Sequence, residues 1–192
     1  MKNYLICSAV ESEVSILQND FETFQVGIGL VESAIRLASF LVGKTFDSII
    51  FTGTVGAYKS AHLGIGDVIT CSSHKLIGSS SVLNHSYFPR AMQKEIFAKP
   101  PIETGLIDAS CASVLEITKT SELADRIVEE HNVSVEHMEL YSVASICSRL
   151  GIPLLPIMGI ANTVYEHSHV EWLQNNEFAS LNAQNKIISL LR

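Results

Sequence analysis

Short apolar runs and stretches of helical period alternate along this chain, which predicts strands and helices in turn. Residues 4–9, 25–28, 48–52, 67–71, 105–109, 133–136 and 154–160 read as strands, and the run at 48–52 is apolar enough to be buried on both faces. Helices are predicted over residues 11–19, with Val14, Ile16 and Leu17 facing a sheet, and over 31–42, where Val31, Ile35, Ala38 and Val42 recur before Gly43 stops the helix. Two more helices follow at 121–131, capped by Ser121, and at about 138–150. The tail, 170–191, reads as one or two helices that cover the sheet through Leu173, Phe178, Leu181, Ile188 and Leu191. Between these elements, Gly53, Gly56, Gly64 and Gly66 punctuate a predicted loop, and residues 72–101 read as irregular with one short helix at 91–97. The order predicts an α/β fold, a single domain over 1–192 in which helices cover both sides of a three-layer, mixed, twisted sheet.

Composition narrows the function classes. A chain of 192 residues buries roughly 70% of its unfolded surface, enough for one sizeable core. Hydrophobic residues make up 47% and charged residues 17%, so the chain is globular, and its apolar runs are too short to cross a bilayer. The N-terminus, MKNYLICSAVESE, meets carboxylates within a few residues of its apolar run and lacks the layout of a signal peptide, which places the protein in the cytoplasm. The net charge is −7 and the basic residues form no run, which argues against nucleic-acid binding. Cys7, Cys71, Cys111 and Cys147 are scattered and read as buried reduced thiols.

Chemistry concentrates at the ends of predicted strands. Glu139 falls at the start of a helix, where the helix dipole favours a carboxylate, and Asn162 falls just past a strand's carboxyl end, where open α/β sheets place ligand groups. Gly27-Ile28-Gly29 is half of a dinucleotide fingerprint, but Glu32 stands where the third glycine belongs, so no nucleotide cofactor is expected. The glycines there and at 53–56 permit backbone N–H groups to approach a polar ligand. His167 and His169 stand two apart with no third ligand, so no metal is expected and the pair reads as loop or lid histidines.

Five stretches carry a resemblance: AVESEV (9–14), VGIGLVESA (26–34), FTGTVGAY with the following GIGDV (51–68), VEHMEL (135–140) and GIPLLPIMGIANTV (151–164). In this order they resemble the motifs of the nucleoside phosphorylase and nucleosidase superfamily. The first motif and the Met-Glu pair are similar to those of methylthioadenosine/S-adenosylhomocysteine nucleosidases. Asn162, with Trp172 ten residues later, makes the chain most like futalosine hydrolases. The resemblance implies a nucleoside phosphorylase-like fold and hydrolysis of the N-glycosidic bond of a purine nucleoside: futalosine to hypoxanthine and dehypoxanthine futalosine, in menaquinone biosynthesis. A methylthioadenosine or aminofutalosine nucleosidase, a purine nucleoside phosphorylase and a non-catalytic nucleoside binder stay open as alternatives.

The resemblance also implies roles. Glu13 matches the carboxylate that activates the attacking water, a role that a partly buried carboxylate at a strand end suits. Glu139 matches the acceptor of the ribose 2′ and 3′ hydroxyls, and Met138 would pack on the sugar. Thr54, Val55 and Gly29 match positions beside the sugar and the water. Asn162 stands where adenine-specific relatives carry Asp; its amide donates a hydrogen bond where an acid would pass a proton, which suits a 6-oxopurine leaving group. Relatives are dimers or larger homo-oligomers, so a homodimer or higher homo-oligomer is expected, most simply a two-fold dimer. Phosphorylases of the superfamily hold phosphate with arginines, and neither Arg36 nor Arg90 lies in a matching motif, so water is the expected nucleophile. The segment between Glu13 and Gly27 is shorter than in most relatives, and the aromatic residue that stacks on adenine has no counterpart at 112–117.

Overall fold

The structure, a computed structural model, describes residues 2–192. Its strands are β1 (Tyr4–Ser8), β2 (Glu22–Gln25), β3 (Ser48–Ala57), β4 (Val68–Ile77), β5 (Glu95–Phe97), β6 (Ile107–Val114), β7 (Val135–His137) and β8 (Leu154–Thr163). Its helices are α1 (Leu30–Phe40), α2 (Ser79–Val82), α3 (Ser121–His131), α4 (Leu140–Leu150) and α5 (Ser168–Leu191). All eight strands join one mixed sheet ordered β2-β1-β3-β7-β6-β4-β5, with β8 paired to both β3 and β4. The pairings β3 to β8, β8 to β4, β4 to β6, β6 to β7 and β7 to β3 therefore close a ring. Closure leaves the ring no free strand edge, and β1, β2 and β5 extend it on either side. Helices α1 and α4 pack on the cluster containing Leu37, Leu140 and Val143, while α5 covers the opposite one at Ile6, Ile50 and Ile157. The three-layer mixed architecture expected from the sequence is the one formed.

Several elements differ from the expectation, each for a packing reason. Residues 11–19 form only a 3₁₀ turn, Glu11–Val14, because the Glu13 carboxylate turns back to accept from the amides of Ala9 (3.1 Å) and Val10 (3.4 Å). Gly53 and Gly56 lie inside β3 and not in a loop: a Cβ on Gly53 would stand 2.8 Å from Glu13 Oε1, and one on Gly56 2.9 Å from Asn162 Nδ2. Here glycine makes room for the Glu13 and Asn162 side chains in a strand interior. The region 72–101 is less irregular than expected, since β4 runs to Ile77 and the predicted helix at 91–97 is replaced by β5, paired antiparallel to Ser73, His74 and Lys75. Cross-strand pairing has overridden local preference there. Thr120, not Ser121, caps α3, its hydroxyl accepting from Leu123 N.

One helix buries a different face from the one predicted, and another does so in part. On α1, Val31 (66% exposed) and Ile35 (59%) face outward, and Ser33 and Leu37 are buried instead. On α5, a single helix, Ile188 and Leu191 pack on the core as expected, but Leu173 and Phe178 are exposed and Ala179, Ala183 and Ile187 are buried in their stead. Small residues are required because α5 lies almost on β8: a Cβ on Gly159 would come within 2.1 Å of the Ala179 carbonyl oxygen. Gly159→Ala must push the helix off the strand, and a loss of about 1–3 kcal/mol is expected, the usual scale of overpacking, read by denaturant titration. All four cysteines are free and buried, as expected.

Candidate active site

The carboxyl ends of β3 and β8 converge with β7, the start of α4 and the turn after β1 on a cavity of about 340 Å³. Glu13, Thr54, Val55, Met138, Glu139 and Asn162 all line it, although they come from four separate parts of the chain. Gly29 does not line the cavity. It serves from behind, through an N–H donated to Glu139 Oε1 at 2.6 Å, and its positive φ of 88° is one that glycine adopts without strain. That amide is thus committed to a carboxylate and not offered to a phosphate.

Glu13 is 9% exposed and held at both oxygens, Oε1 by Thr54 N (3.2 Å) and Oε2 by the amides of Ala9 and Val10. Burial pushes its pKa up to about 7; the three amide bonds oppose that rise and the charge of Glu139 adds to it. A carboxyl that titrates near neutrality is suited to taking a proton from water. Thr54 Oγ1 in turn accepts from Trp172 Nε1 at 3.1 Å, which ties the wall of the cavity to α5.

Asn162 is the second-last residue of β8 and not a residue beyond it. Val55 and Gly56 pair with Ile160 and Asn162, so Ala161 is an extra residue on β8. A bulge of this kind re-aims the side chain that follows it. The Asn162 amide lies against Gly56 and donates to Thr163 O at 3.0 Å, leaving its second N–H and its carbonyl for a ligand.

Glu139 is 3% exposed and occupies the position just before α4 rather than its first turn. Its Oε2 lies 3.1 Å from His137 Nδ1, a distance that alone suggests an ion pair. The same nitrogen, however, accepts the amide hydrogens of Glu139 (3.1 Å) and Leu140 (3.3 Å), and burial pushes the ring's pKa below its ordinary value. His137 is therefore neutral and acts as an acceptor.

Sequence reasoning missed several lining residues. Glu136 accepts from Tyr58 Oη (2.8 Å), Thr118 N (2.9 Å) and Thr118 Oγ1 (2.5 Å), which fixes the loop of Ile117 and Thr118 over the cavity, and burial raises its pKa. A lone Glu in an apolar strand was the available signal. His169 stacks on Trp172 with ring centroids 6.0 Å apart, whereas His167 packs against Tyr165, so the two histidines serve different neighbours. The cavity wall carries three carboxylates, Glu13, Glu136 and Glu139, and no lysine or arginine. A larger cleft of about 570 Å³ near residues 100–106 has Glu103 as its one ionisable lining group and gathers none of these side chains.

The sequence model of the Phosphorylase superfamily matches residues 22–192. No curated protein sequence matches the chain. Among solved structures, the fold is similar to the 5′-methylthioadenosine/S-adenosylhomocysteine nucleosidase of Helicobacter pylori bound to butyl-thio-DADMe-Immucillin-A, with a TM-score of 0.87, 18% identity, and coverage of 100% of this chain and 98% of that one. It is also similar to the native futalosine hydrolase of Helicobacter pylori, with a TM-score of 0.85, 17% identity, and coverage of 99% and 97%. The nucleosidase of Neisseria meningitidis in complex with methylthio-immucillin-A gives 0.85, 17%, 100% and 99%. No helix among the described residues is long and apolar enough to cross a membrane.

Proposed function

The chain belongs to the Phosphorylase superfamily, and from that premise we propose that it hydrolyses the N-glycosidic bond of a purine nucleoside, with futalosine as the substrate and hypoxanthine as the released base. The observation that carries this reading is the gathering of Glu13, Glu139 and Asn162 around one cavity whose wall has carboxylates and no fixed cation. Phosphate entering beside those carboxylates would meet repulsion without a compensating charge, and water would not.

In the proposed reaction Glu13 takes a proton from water as its oxygen bonds to C1′ and the bond from C1′ to N9 breaks. The sugar passes through a state with positive charge at C1′, which the carboxylates stabilise. The electron pair leaves with the purine, which takes up a proton. Glu139 accepts from the ribose 2′ and 3′ hydroxyls, Met138 packs on the sugar, and Thr54 and Val55 complete the wall beside it. The free N–H of Asn162 donates to N7 or O6, where charge accumulates in a 6-oxopurine. The aromatic face of Trp172 and the His169 ring stacked on it supply a site for the remainder of a larger nucleoside.

A purine-release assay over futalosine, aminofutalosine, methylthioadenosine and inosine tests this reading. Release is expected without phosphate, fastest from futalosine. Binding without release from any of the four would make the protein a non-catalytic binder. We propose in addition that two copies associate through the exposed Val31 and Ile35 stripe of α1, which continues from Ile28 at the cavity. Light scattering at micromolar concentration should then give twice the 21.0 kDa chain mass, and a fully active monomer would contradict it.

A further inference from the structure

The first amides of α4 are capped from outside the helix. A helix start is normally served by the side chain of its own capping residue, yet the residue in that position here is Glu139, which makes no side-chain cap bond. The amide hydrogens of Glu139 and Leu140 go to His137 Nδ1, and that of Tyr141 goes to Ser113 Oγ on β6 at 2.9 Å. Both acceptors are buried, His137 at 7% exposure and Ser113 at 0%. Three successive donors are therefore satisfied before the Glu139 carboxylate is called on, and that carboxylate stays in the cavity, tethered at Oε1 to Gly29 N.

We propose that His137, assisted by Ser113, is a positioning residue for ribose recognition: it caps α4 so that the Glu139 carboxylate remains available to the sugar. This rests on the reading of Glu139 as the ribose acceptor. Without the imidazole, two donors at the positive end of a helix dipole stand unpaired next to a carboxylate whose Oε2 is already 3.1 Å from the vacated nitrogen. The carboxylate turns onto them, caps its own helix and leaves the ribose. Phe51 meets the His137 ring edge to face at 5.5 Å and helps hold its plane. Asparagine can place Oδ1 where Nδ1 stands, whereas the acceptor of glutamine reaches to the far side of the ring.

Calorimetric binding of inosine and of hypoxanthine, which lacks the sugar, reads the effect, with every variant built on Glu13→Gln so that inosine is not turned over. His137→Ala is expected to weaken inosine about tenfold, the scale of one lost hydrogen bond to a charged group, and to leave hypoxanthine unchanged. His137→Asn should restore inosine binding and His137→Gln should not; those two, equal in charge, carry the comparison if the alanine variant fails to fold. In a Glu139→Gln background, His137→Ala should cost nothing further. Unchanged inosine binding in His137→Ala, equal rescue by both amides, or an additive loss in the double variant would overturn the proposal while Glu139 kept its role. Inosine bound no better than hypoxanthine, or unaffected by Glu139→Gln, would instead remove the ribose reading and the inference with it.

Discussion

Glu13→Gln is expected to lower turnover at least about 100-fold, the usual scale for losing a general base, while the fold and nucleoside binding persist. An amide of the same size still fills the space beside Gly53 and still accepts at one oxygen, but it cannot take a proton from water. In the unaltered protein, the rate should rise about tenfold per pH unit on the acid side and level off above about 7, because the base must be ionised and its pKa is pushed up to about 7. Stability should run the opposite way. A carboxyl that holds its proton more tightly folded than unfolded contributes stability that is complete below its unfolded pKa of 4.5 and is lost as pH rises through about 7. The full loss is on the order of 3 kcal/mol, taking about 1.4 kcal/mol per pKa unit. Glu13→Gln should flatten both the acid limb of the rate and this slope in melting temperature. An unchanged rate in the variant would remove Glu13 from the chemistry.

Asn162→Asp is expected to change which base is released. In the unaltered protein hypoxanthine should leave its nucleoside much faster than adenine leaves the 6-amino analogue. A carboxylic acid at 162 can protonate N7 while its other oxygen accepts from the 6-amino group, so the ratio should move towards adenine by about 1–3 kcal/mol, roughly 5- to 150-fold. The site favours the protonated acid, since the side chain is only 8% exposed and its amide faces the Thr163 carbonyl oxygen, which an ionised carboxylate would repel. Comparison of kcat/KM for the two nucleosides in both proteins reads the change. A constant ratio would mean that Asn162 does not read the base, and the futalosine assignment would lose its main support.

The parts of this design legible in the sequence are those where local pattern and tertiary role coincide. The cores of β1, β3 and β8 are unbroken apolar runs buried in the sheet, and such runs announce themselves. Of the six side chains expected on one cavity, Glu139 and Asn162 follow from their places at the start of α4 and the end of β8, while Glu13, Thr54, Val55 and Met138 follow from the family resemblance, and all six line it. What was hidden depended on neighbours distant in sequence. The apolar stripe of α1 faces outward because Ser33 and Leu37 meet the chain's core first, and nothing in an isolated helical repeat tells which of its faces the core will take. Gly53 and Gly56 read as turn residues until Glu13 and Asn162 are seen pressed against them. His137 falls between a predicted strand and a predicted helix, and its acceptor role emerges only when the amides of that helix are counted. Gly29 matches a position beside the sugar, whereas its amide holds the residue proposed to bind that sugar.

The central claim, hydrolysis of a purine nucleoside in the cavity of Glu13, Glu139 and Asn162, is tested most directly by the fate of the anomeric oxygen. Futalosine would be turned over with saturating phosphate in water carrying a heavy oxygen isotope, and the sugar product analysed by mass spectrometry. The expected result is one hypoxanthine per substrate and a sugar product whose C1′ hydroxyl carries the isotope, with no sugar 1-phosphate. A sugar 1-phosphate, or no release of purine at all, would contradict it.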